Sequence, residues 1–354
     1  GAATKGPSRD NLPDRLRMLL TSSLTDYTLK YSMKEAQQLG HHQSAKDLQE
    51  IRGWLRKTSR QLNPGEETHL RSRELMDAVE AASQMPYIHF TQLLEEIGEN
   101  VLKLPGRLKS FSRQTASFMK NWVKPDIGYA RILWRARDKH GIRHNCLDAS
   151  NASTEVFRQA HSSILMSGTL TPTAMYADVL GLQPGKTIQK TYQSPFPREN
   201  RLALVIPTVT TKYAKRTEYM YAKYARLITQ MNQEIPGNTA IFCPSYTILE
   251  KIRESLKTKH KIHVEERQMR KQHRRQIYKT MTQSREKNIL MAVQAGSMSE
   301  GVDYPGLLDA VFIVGLPLEK PTLMTKSLIE YYDFKFQRGW DYGYIYPAMN
   351  RALQ

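Results

Sequence analysis

The sequence predicts an α/β protein in which a mostly parallel sheet is preceded by, or bears, an inserted all-helical domain. Two observations lead to this fold class. From about residue 14 to residue 124, apolar residues recur at spacings of three and four, the period of a helix with one buried face. After Pro125, short apolar runs alternate with helical patterns, and strands connected through helices form parallel sheets.

The helical part divides into several amphipathic segments. Breaks between them are predicted at Gly40, at residues 63–65, at Pro86, at residues 105–106 and at Pro125. We interpret the apolar stripes of these segments as core positions rather than as ligand-binding positions. The stripes contain Leu16, Leu20, Leu24, Tyr27 and Tyr31; Leu48, Ile51, Leu55 and Leu62; Phe90, Leu94, Ile97, Val101 and Leu104; and Leu108, Phe111, Thr115, Phe118 and Trp122.

A change of period at Pro125 predicts a β-hairpin followed by the α/β part. Ile132 and Trp134 alternate with polar residues, residues 138–141 form a turn, and Ile142 and His144 alternate back. Buried strands are predicted at 164–166, 202–206, 240–243, 289–293 and 310–314. Helices are predicted between and after them, at about 218–234, 247–257, 268–282 and 321–337.

The composition narrows the classes of function. The chain carries 52 Lys and Arg against 34 Asp and Glu, a net charge of +18, so it attracts polyanions in a salt-dependent way. Its two cysteines, Cys146 and Cys243, supply neither a disulfide framework nor a cysteine-rich metal site, and they predict an intracellular protein. No apolar run approaches the roughly 20 residues needed to cross a bilayer, so we expect no membrane partner.

The segments that follow the predicted strands are candidate ligand-binding loops, because ligands of doubly wound sheets bind at the carboxyl ends of the strands. These loops, at 167–172, 244–246, 294–306 and 315–317, are rich in Gly, Ser, Thr or Pro. Such residues let backbone amides and hydroxyls approach a phosphate. Two plainer interpretations stay open. Ser167-Gly168-Thr169 could be a helix cap with a turn, and Glu300 and Asp303 could be solvated loop acids.

A strongly basic segment at residues 266–275 includes Arg270, Lys271 and Arg274. One interpretation is a solvated helix face. The other is a patch that follows the phosphates of a nucleic-acid strand, which makes these three residues candidates for DNA binding.

Taken together in chain order, these loops resemble the motifs of the XPD/Rad3/DinG branch of the superfamily 2 helicases. SSILMSGTLTPTAMYADVLGL resembles motif III, AIFCPSY resembles motif IV, and ILMAVQAGSMSEGVDYPG resembles motif V. The closing run YYDFKFQRGWDYGYIYPAMNRALQ is similar to the approach to motif VI, of which Gln354 would be the first residue. NLPDRLR, near the other end, resembles the segment that follows the DEAH box.

The resemblance implies a domain organisation around a RecA-like helicase body. Residues 11–28 would end the part of helicase domain 1 that follows the DEAH box, and 29–128 would form the helical Arch-like domain. Residues 129–200 would return to helicase domain 1, and 201–354 would form helicase domain 2. Residues 1–10 are interpreted as a linker or a cloning scar.

Residue roles also follow from the resemblance. Ser167, Gly168 and Thr169 would couple the nucleotide state to the grip on DNA. Ser245, Tyr246 and Ser299 would contact the DNA strand. The catalytic residues, on the nucleotide side of the cleft between the motor lobes, would be Glu300, Gly301, Asp303 and Gln354.

The implied function is a 5′ to 3′ ATP-dependent DNA helicase in DNA repair, such as nucleotide excision repair. Its partners would be single-stranded DNA, ATP with Mg²⁺, and proteins of a repair or transcription complex, in the cytoplasm, the nucleoid or a nucleus. The sequence departs from the family pattern because it has no G-x-x-x-x-G-K-[ST] loop, no DEAH box and no iron–sulfur cysteines. A 4Fe–4S cluster is therefore expected in the parent protein only, and the chain alone is expected to be inactive as an ATPase.

Two other classes of function stay open. The chain could be a motor-dead module that binds nucleic acid or protein, which the missing phosphate loop favours. An unrelated nucleotide-binding α/β enzyme would need a phosphate loop of its own, and the sequence contains no such motif.

Overall fold

The computed structural model describes residues 21–125, 127–294, 296–318 and 320–353. Leu16, Leu20 and Gln354, which the sequence analysis singled out, lie outside the described residues. The chain forms two compact units, each made of separate stretches of sequence. The first contains 21–164, 177–187 and 321–339, and the second contains 165–176, 188–320 and 340–353. The domain boundaries expected from the family resemblance stay a prediction.

The first unit is built on a group of helices. They are α1 (Asp26–Gln38), α2 (His42–Ser59), α3 (Ser72–Ser83), α4 (Tyr87–Lys103) and α5 (Phe111–Trp122). Most of the predicted apolar stripe positions become its core, since Leu48, Phe90, Ile97 and Trp122 are fully buried. The prediction was wrong at Tyr27 and Leu108, which are 58% and 92% exposed. Side-chain caps fix two of the helix starts. The Thr25 hydroxyl accepts a hydrogen bond from the Thr28 amide, and the Ser110 hydroxyl accepts one from the Arg113 amide.

A four-stranded antiparallel sheet completes the first unit. Its strands are β1 (Thr21–Thr25), β2 (Glu67–His69), β3 (Tyr129–Arg135) and β4 (His140–Cys146), in the order β1-β4-β3-β2. The predicted hairpin is confirmed as β3 and β4. The prediction that the region before Pro125 is all-helical was wrong at β2 and at Leu24. This residue lies on β1 opposite Ile142, because pairing with a distant strand outweighs the local helical spacing.

Three further helices lie at or near the positions in the sequence where the chain passes from one unit to the other. They are α6 (Ser150–Gln159), α7 (Thr173–Val179) and, after the strands of the second unit, α11 (Leu323–Phe336). Helix α11 closes the first unit. Its apolar side chains Leu323, Met324, Leu328 and Tyr331 pack against Ala130, Ile132 and Leu147. The Asp148 carboxylate accepts hydrogen bonds of 2.7 Å from both the Tyr331 hydroxyl and the Lys335 ammonium. Together these contacts fasten α11 to the hairpin.

The second unit contains the predicted parallel sheet. Its strands are β5 (Thr239–Cys243), β6 (Lys261–Val264), β7 (Asn288–Val293) and β8 (Ala310–Ile313), all parallel in the order β6-β7-β5-β8. The helices are α8 (Glu218–Gln233), α9 (Tyr246–Ser255), α10 (Lys271–Gln283) and α12 (Tyr346–Leu353), the last directly after a π-helical turn at Asp341–Ile345. The α/β fold class is thereby confirmed.

The central position of β7 in the sheet explains why its sequence is apolar without alternation. Ile289, Met291 and Val293 face one core, which α8 and α9 complete, whereas Leu290 and Ala292 face the other core, which α10 completes. A strand covered on both faces buries every side chain, as β7 does.

Two predicted strands are not formed. Residues 164–166 and 202–206 are extended segments that pair with no strand in the part of the chain that the structure describes. Ile164 is 89% exposed and Leu202 is 82% exposed. An apolar run forms a strand only where a neighbouring strand accepts its backbone hydrogen bonds. The prediction of strands at 164–166 and 202–206 assumed such a neighbour.

His144 makes the stability of the first unit depend on pH. The side chain is buried on β4, stacked on the Tyr129 ring at 4.6 Å, and burial together with Arg131 and Lys124 lowers its pKa to about 3. The unfolded chain, with a pKa of about 6.5, therefore binds the proton first as pH falls. We expect the free energy of unfolding to decrease by up to about 1.4 kcal/mol per pH unit below about pH 6.5.

Denaturant titrations at several pH values between 7 and 4.5 measure this slope. His144→Gln should show a smaller slope than the unchanged protein, and this difference isolates His144 from His140 and His260, whose pKa values burial also lowers. Parallel pH profiles for the two proteins would contradict the assignment.

Candidate functional site

The carboxyl ends of three neighbouring strands of the second unit are joined by one side chain. The Gln294 amide, directly after β7, donates hydrogen bonds to the Phe242 carbonyl of β5 at 3.1 Å and to the Gly315 carbonyl after β8 at 2.9 Å. The Gln294 backbone amide also donates to the Cys243 carbonyl at 2.8 Å. The loops after β5, β7 and β8 therefore leave the same edge of the sheet in fixed positions.

A buried carboxylate holds the start of the loop after β7. Glu265 is 1% exposed and follows β6. One of its oxygens accepts hydrogen bonds from the Ser297 amide (2.6 Å), the Ser297 hydroxyl (2.7 Å) and the Met298 amide (3.2 Å). The other accepts from the Val293 amide at 2.9 Å. Four donors on one carboxylate fix the backbone of this loop as firmly as a helix cap fixes a helix.

Glu265 was not among the predicted site residues. The signal was a lone acid immediately after the short run KIHV, but strand β6 was itself not predicted. Glu265 could have been identified from its position as an acid at the end of a strand that lies beside a glycine-rich loop.

The glycine and hydroxyl residues of this loop serve its own conformation. A Cβ atom at Gly296 would lie 2.6 Å from the Glu265 carboxylate, so the close approach of the loop requires glycine there. The Ser299 hydroxyl accepts from the Gly296 amide at 2.8 Å. Ser299, predicted to contact DNA, thus uses its hydroxyl within the loop. In contrast, Glu300, Gly301 and Asp303 are exposed, which fits both a ligand-facing surface and the solvated loop acids of the plainer interpretation.

The loop after β5 contains Ser245 and Tyr246. The Ser245 hydroxyl accepts from the Ile248 amide at 3.3 Å and caps α9. The Tyr246 ring is half-buried, with the Arg267 guanidinium 4.8 Å from its centroid. Burial, with the nearby Glu265 carboxylate, raises the pKa of the Tyr246 hydroxyl. An aromatic ring with a guanidinium at its face is suited to stacking and to phosphate contact.

The basic segment begins helix α10 and reaches the loop after β7. The Arg274 guanidinium donates to the Ser297 carbonyl at 2.9 Å, while Arg270 and Lys271 are exposed. The first turn of α10 contains no acid. Cations at a helix N-terminus oppose the helix dipole, by about 0.3–1 kcal/mol each, so an anion bound here would relieve this repulsion.

The Ser167-Gly168-Thr169 segment belongs to the second unit but lies on a different loop. The Ser167 hydroxyl accepts from the Thr169 amide at 3.2 Å, and Ser167 and Gly168 are exposed. Helix α12 holds the end of this loop, because the Asn350 amide donates to the Thr171 carbonyl and to the Tyr176 hydroxyl, both at 2.9 Å. Gln354, the fourth predicted catalytic residue, lies outside the described residues.

The donor sets can be tested against the expected cofactors. A 4Fe–4S cluster takes four cysteine thiolates, and the chain has only Cys146 in the first unit and Cys243 in the second, so these residues do not fit a cluster. Over the described ranges, no group of three His, Cys, Asp or Glu side chains is placed to hold a metal ion. Among the helices that the structure describes, none has the length and apolar character needed to cross a membrane.

Comparisons with known proteins place these loops in a family context. A family model described as a helicase C-terminal domain matches residues 228–354. The XPD/RAD3 helicase subunit of general transcription and DNA repair factor IIH from Saccharomyces cerevisiae is 25% identical over 232 residues, covering 60% of this chain and 30% of that protein. ATP-dependent DNA helicase CHL1 of Yarrowia lipolytica is 28% identical over 215 residues, covering 53% of this chain and 26% of that protein. The chain thus spans less than a third of the length of either relative.

Solved structures show the same fold. Xpd4 of S. tokodaii matches with a TM-score of 0.55 at 16% sequence identity, covering 98% of this chain and 65% of that one. An XPD helicase structure matches with a TM-score of 0.50 at 18% identity, covering 97% of this chain and 60% of that one. At these identities the likeness concerns the fold.

Proposed function

We propose that this chain, an XPD-like segment of the superfamily 2 helicases, forms a motor lobe and part of a second one in an ATP-dependent helicase that moves on single-stranded DNA. The observation that carries the proposal is the edge of the parallel sheet where Gln294 joins three strand ends and Glu265 holds the loop after β7. Movement from 5′ to 3′ and a role in DNA repair belong to the proposal through the family resemblance.

The DNA-binding part of the proposal rests on charge and aromatic character at this edge. Arg270, Lys271 and Arg274 bring positive charge to the start of α10, and Tyr246 presents a ring beside Arg267. Cations contact phosphates and rings stack on bases without regard to sequence, which suits a protein that moves along a strand. Ser245 and Ser299 would support this surface mainly by shaping its loops.

The nucleotide-binding part of the proposal assigns the exposed loop surface at Glu300, Gly301 and Asp303 to the ATP side, with Gln354 following α12. ATP with Mg²⁺, when bound, supplies the phosphoryl group that is transferred to water. The residues of this chain would orient the closing lobe and exclude water, because positioning and charge stabilisation provide most of the rate in such reactions. Ser167, Gly168 and Thr169 would connect closure to the DNA grip.

Partners belong to the proposal as well. Relatives from yeasts carry names that place them in a general transcription and DNA repair factor. By that similarity, proteins of a repair or transcription complex are proposed partners, in a nucleus or a nucleoid.

The alternative is a motor-dead module that binds nucleic acid or protein. It is favoured by one observation, namely that the basic start of α10 and the Tyr246 ring beside Arg267 can bind a polyanion without any turnover of ATP.

Turnover of ATP with and without single-stranded DNA separates the two functions. We expect no turnover from the 354-residue chain, and DNA-stimulated turnover from a longer chain that also carries a phosphate loop and a DEAH box. In that longer chain, Asp303→Ala should reduce turnover roughly 10- to 100-fold because the closing surface loses a carboxylate beside the nucleotide. Thr169→Ala should reduce strand separation more than ATP binding.

Asp138→Ala is the matched control for Asp303→Ala, because Asp138 is an exposed acid in the turn of the β3–β4 hairpin. Its turnover should match that of the unchanged protein. A longer chain without any ATPase activity would favour the binding module, and strong activity from the 354-residue chain alone would overturn the proposal.

A further inference from the structure

Three aromatic side chains form a cluster on the outer surface of the first unit. The Tyr27 and Tyr31 rings of α1 lie 4.5 Å apart between centroids, and Phe111, the first residue of α5, stacks on Tyr31 at 5.0 Å. The Tyr27 and Phe111 rings are 5.7 Å apart. Tyr27 is 58% exposed, whereas the core rings Phe90 and Trp122 are fully buried. Tyr31 and Phe111 are half-buried and pack on each other, so packing within the unit explains the core rings fully but explains this cluster, with its exposed Tyr27, only in part.

Exposed cations continue the same face of the helix. Lys30 and Lys34 each follow a tyrosine, Tyr27 and Tyr31, by three residues, and the Lys34 ammonium lies 5.2 Å from the centroid of the Tyr31 ring. At the end of the face, the Arg107 guanidinium reaches the Gln38 side chain at 3.4 Å. Between Tyr27 and Gln38 the helix rises about 16 Å. We call the surface formed by Tyr27, Lys30, Tyr31, Lys34, Arg107 and Phe111 the aromatic track.

The two acids of α1, Asp26 and Glu35, are paired with other residues of the first unit. Asp26 pairs with Arg52 at 2.8 Å and with Arg56 at 2.5 Å. Glu35 is 5% exposed, and its carboxylate accepts from the Ser110 hydroxyl and from the Phe111 amide at 2.9 Å. Glu35 thereby holds Phe111 beside Tyr31. The charge that the aromatic track presents to solvent is positive.

We propose that the aromatic track is a binding site for single-stranded nucleic acid, with bases stacked on Tyr27, Tyr31 and Phe111 and phosphates bound by Lys30, Lys34 and Arg107. Rings interleaved with cations along one line match the alternation of bases and phosphates in a strand. An acidic peptide would use the cations but not the exposed ring of Tyr27. The inference goes beyond the proposed motor function, because the track lies in the first unit and the motor loops lie in the second.

Photo-crosslinking locates the strand on the whole 354-residue chain. An oligothymidylate that carries 5-iodouracil should crosslink to Tyr27, Tyr31 or Phe111, identified by mass spectrometry of the peptides. The same crosslinks should persist in the variant Arg270→Ala/Lys271→Ala, which weakens the candidate surface on α10. Crosslinks confined to the second unit would overturn the inference and leave the motor function intact. Crosslinks confined to the aromatic track would support the inference and contradict DNA binding at the candidate surface on α10.

Affinity measurements test the chemistry of the site. Under low salt, Tyr31→Ala should weaken binding of a short oligothymidylate to the track roughly five-fold or more, because a stacking ring is lost. Tyr31→Phe keeps the ring and should bind as the unchanged protein does, and equal unfolding midpoints of the two variants would show that folding is preserved. An oligouridylate should bind as well, since stacking does not distinguish DNA from RNA.

Tyr192→Ala is the matched control. Tyr192 is 77% exposed and has the Lys190 ammonium 4.8 Å from its ring centroid, but among the residues that the structure describes no other aromatic ring packs on it. Its removal should leave crosslinking to the track unchanged. Equal losses of crosslinking to the track in Tyr192→Ala and Tyr31→Ala would contradict base stacking. So would displacement of the strand from the track by a polyglutamate competitor, if Tyr31→Ala also bound the oligonucleotide as tightly as the unchanged protein.

Discussion

Replacing Glu265 by alanine should lower the free energy of unfolding of the second unit by about 3–4 kcal/mol, because four hydrogen-bond donors around a buried site lose their acceptor. The same change should release the loop after β7 and abolish DNA-stimulated ATPase in a longer chain that supplies the phosphate loop. Denaturant titration of the 354-residue chain and turnover of the longer chain measure the two effects.

Two variants show whether burial and bonding cause this effect. Glu265→Gln keeps an acceptor oxygen but turns an NH₂ group toward donors, so its loss of stability should be intermediate. Glu300→Ala removes an exposed acid from the same loop, and its effect on stability should stay within about 0.5 kcal/mol. Equal losses in Glu265→Ala and Glu300→Ala would show that Glu265 does not hold the loop.

Replacing Trp122 by alanine should lower the free energy of unfolding of the first unit by about 3–5 kcal/mol. The ring is fully buried, packs 5.4 Å from Phe118 between centroids, and donates from its indole nitrogen to the Ser72 carbonyl at 2.8 Å. The Arg131 guanidinium of β3 lies 5.4 Å from the ring centroid and donates to the Trp122 carbonyl. The change therefore opens a cavity where the helices meet the antiparallel sheet.

Equilibrium unfolding in denaturant, followed by near-UV circular dichroism, measures this loss. Trp340→Ala is the control of the same residue type, since Trp340 is 56% exposed, and it should change stability by no more than about 0.5 kcal/mol. A loss below about 1 kcal/mol for Trp122→Ala would contradict the role of this ring as the centre of the core.

The parts of the fold that the sequence predicted are those whose signal is local. Helix α8 was expected at 218–234 and spans Glu218–Gln233, and strand β7 was expected at 289–293 and spans Asn288–Val293. In both, burial follows directly from the spacing of apolar residues. The same locality let the glycine-rich loop after β7 be identified before its geometry was known.

The parts that were missed depend on partners distant in the chain. Strand β6 contains Lys261 and His263, and His263 is accommodated because its ring bonds to Asn288 at 3.0 Å. Glu265 could not be singled out without knowing that this strand ends beside the loop. The prediction of a helix at Leu24 was wrong for the same reason, since β1 forms through its pairing with the distant strand β4. The roles of Ser167, Thr169, Glu300 and Asp303 stay predictions.

The closing position of α11 has a consequence for synthesis of the protein on the ribosome. The helix that covers Ala130, Ile132 and Leu147 is encoded after the whole of β5–β8. At translation rates of roughly 5–20 residues per second, the apolar face of the hairpin waits on the order of ten seconds for its cover. The nascent chain therefore exposes these apolar residues of the hairpin while residues 188–320 of its second unit are synthesised, and a chaperone that covers them would act in this interval.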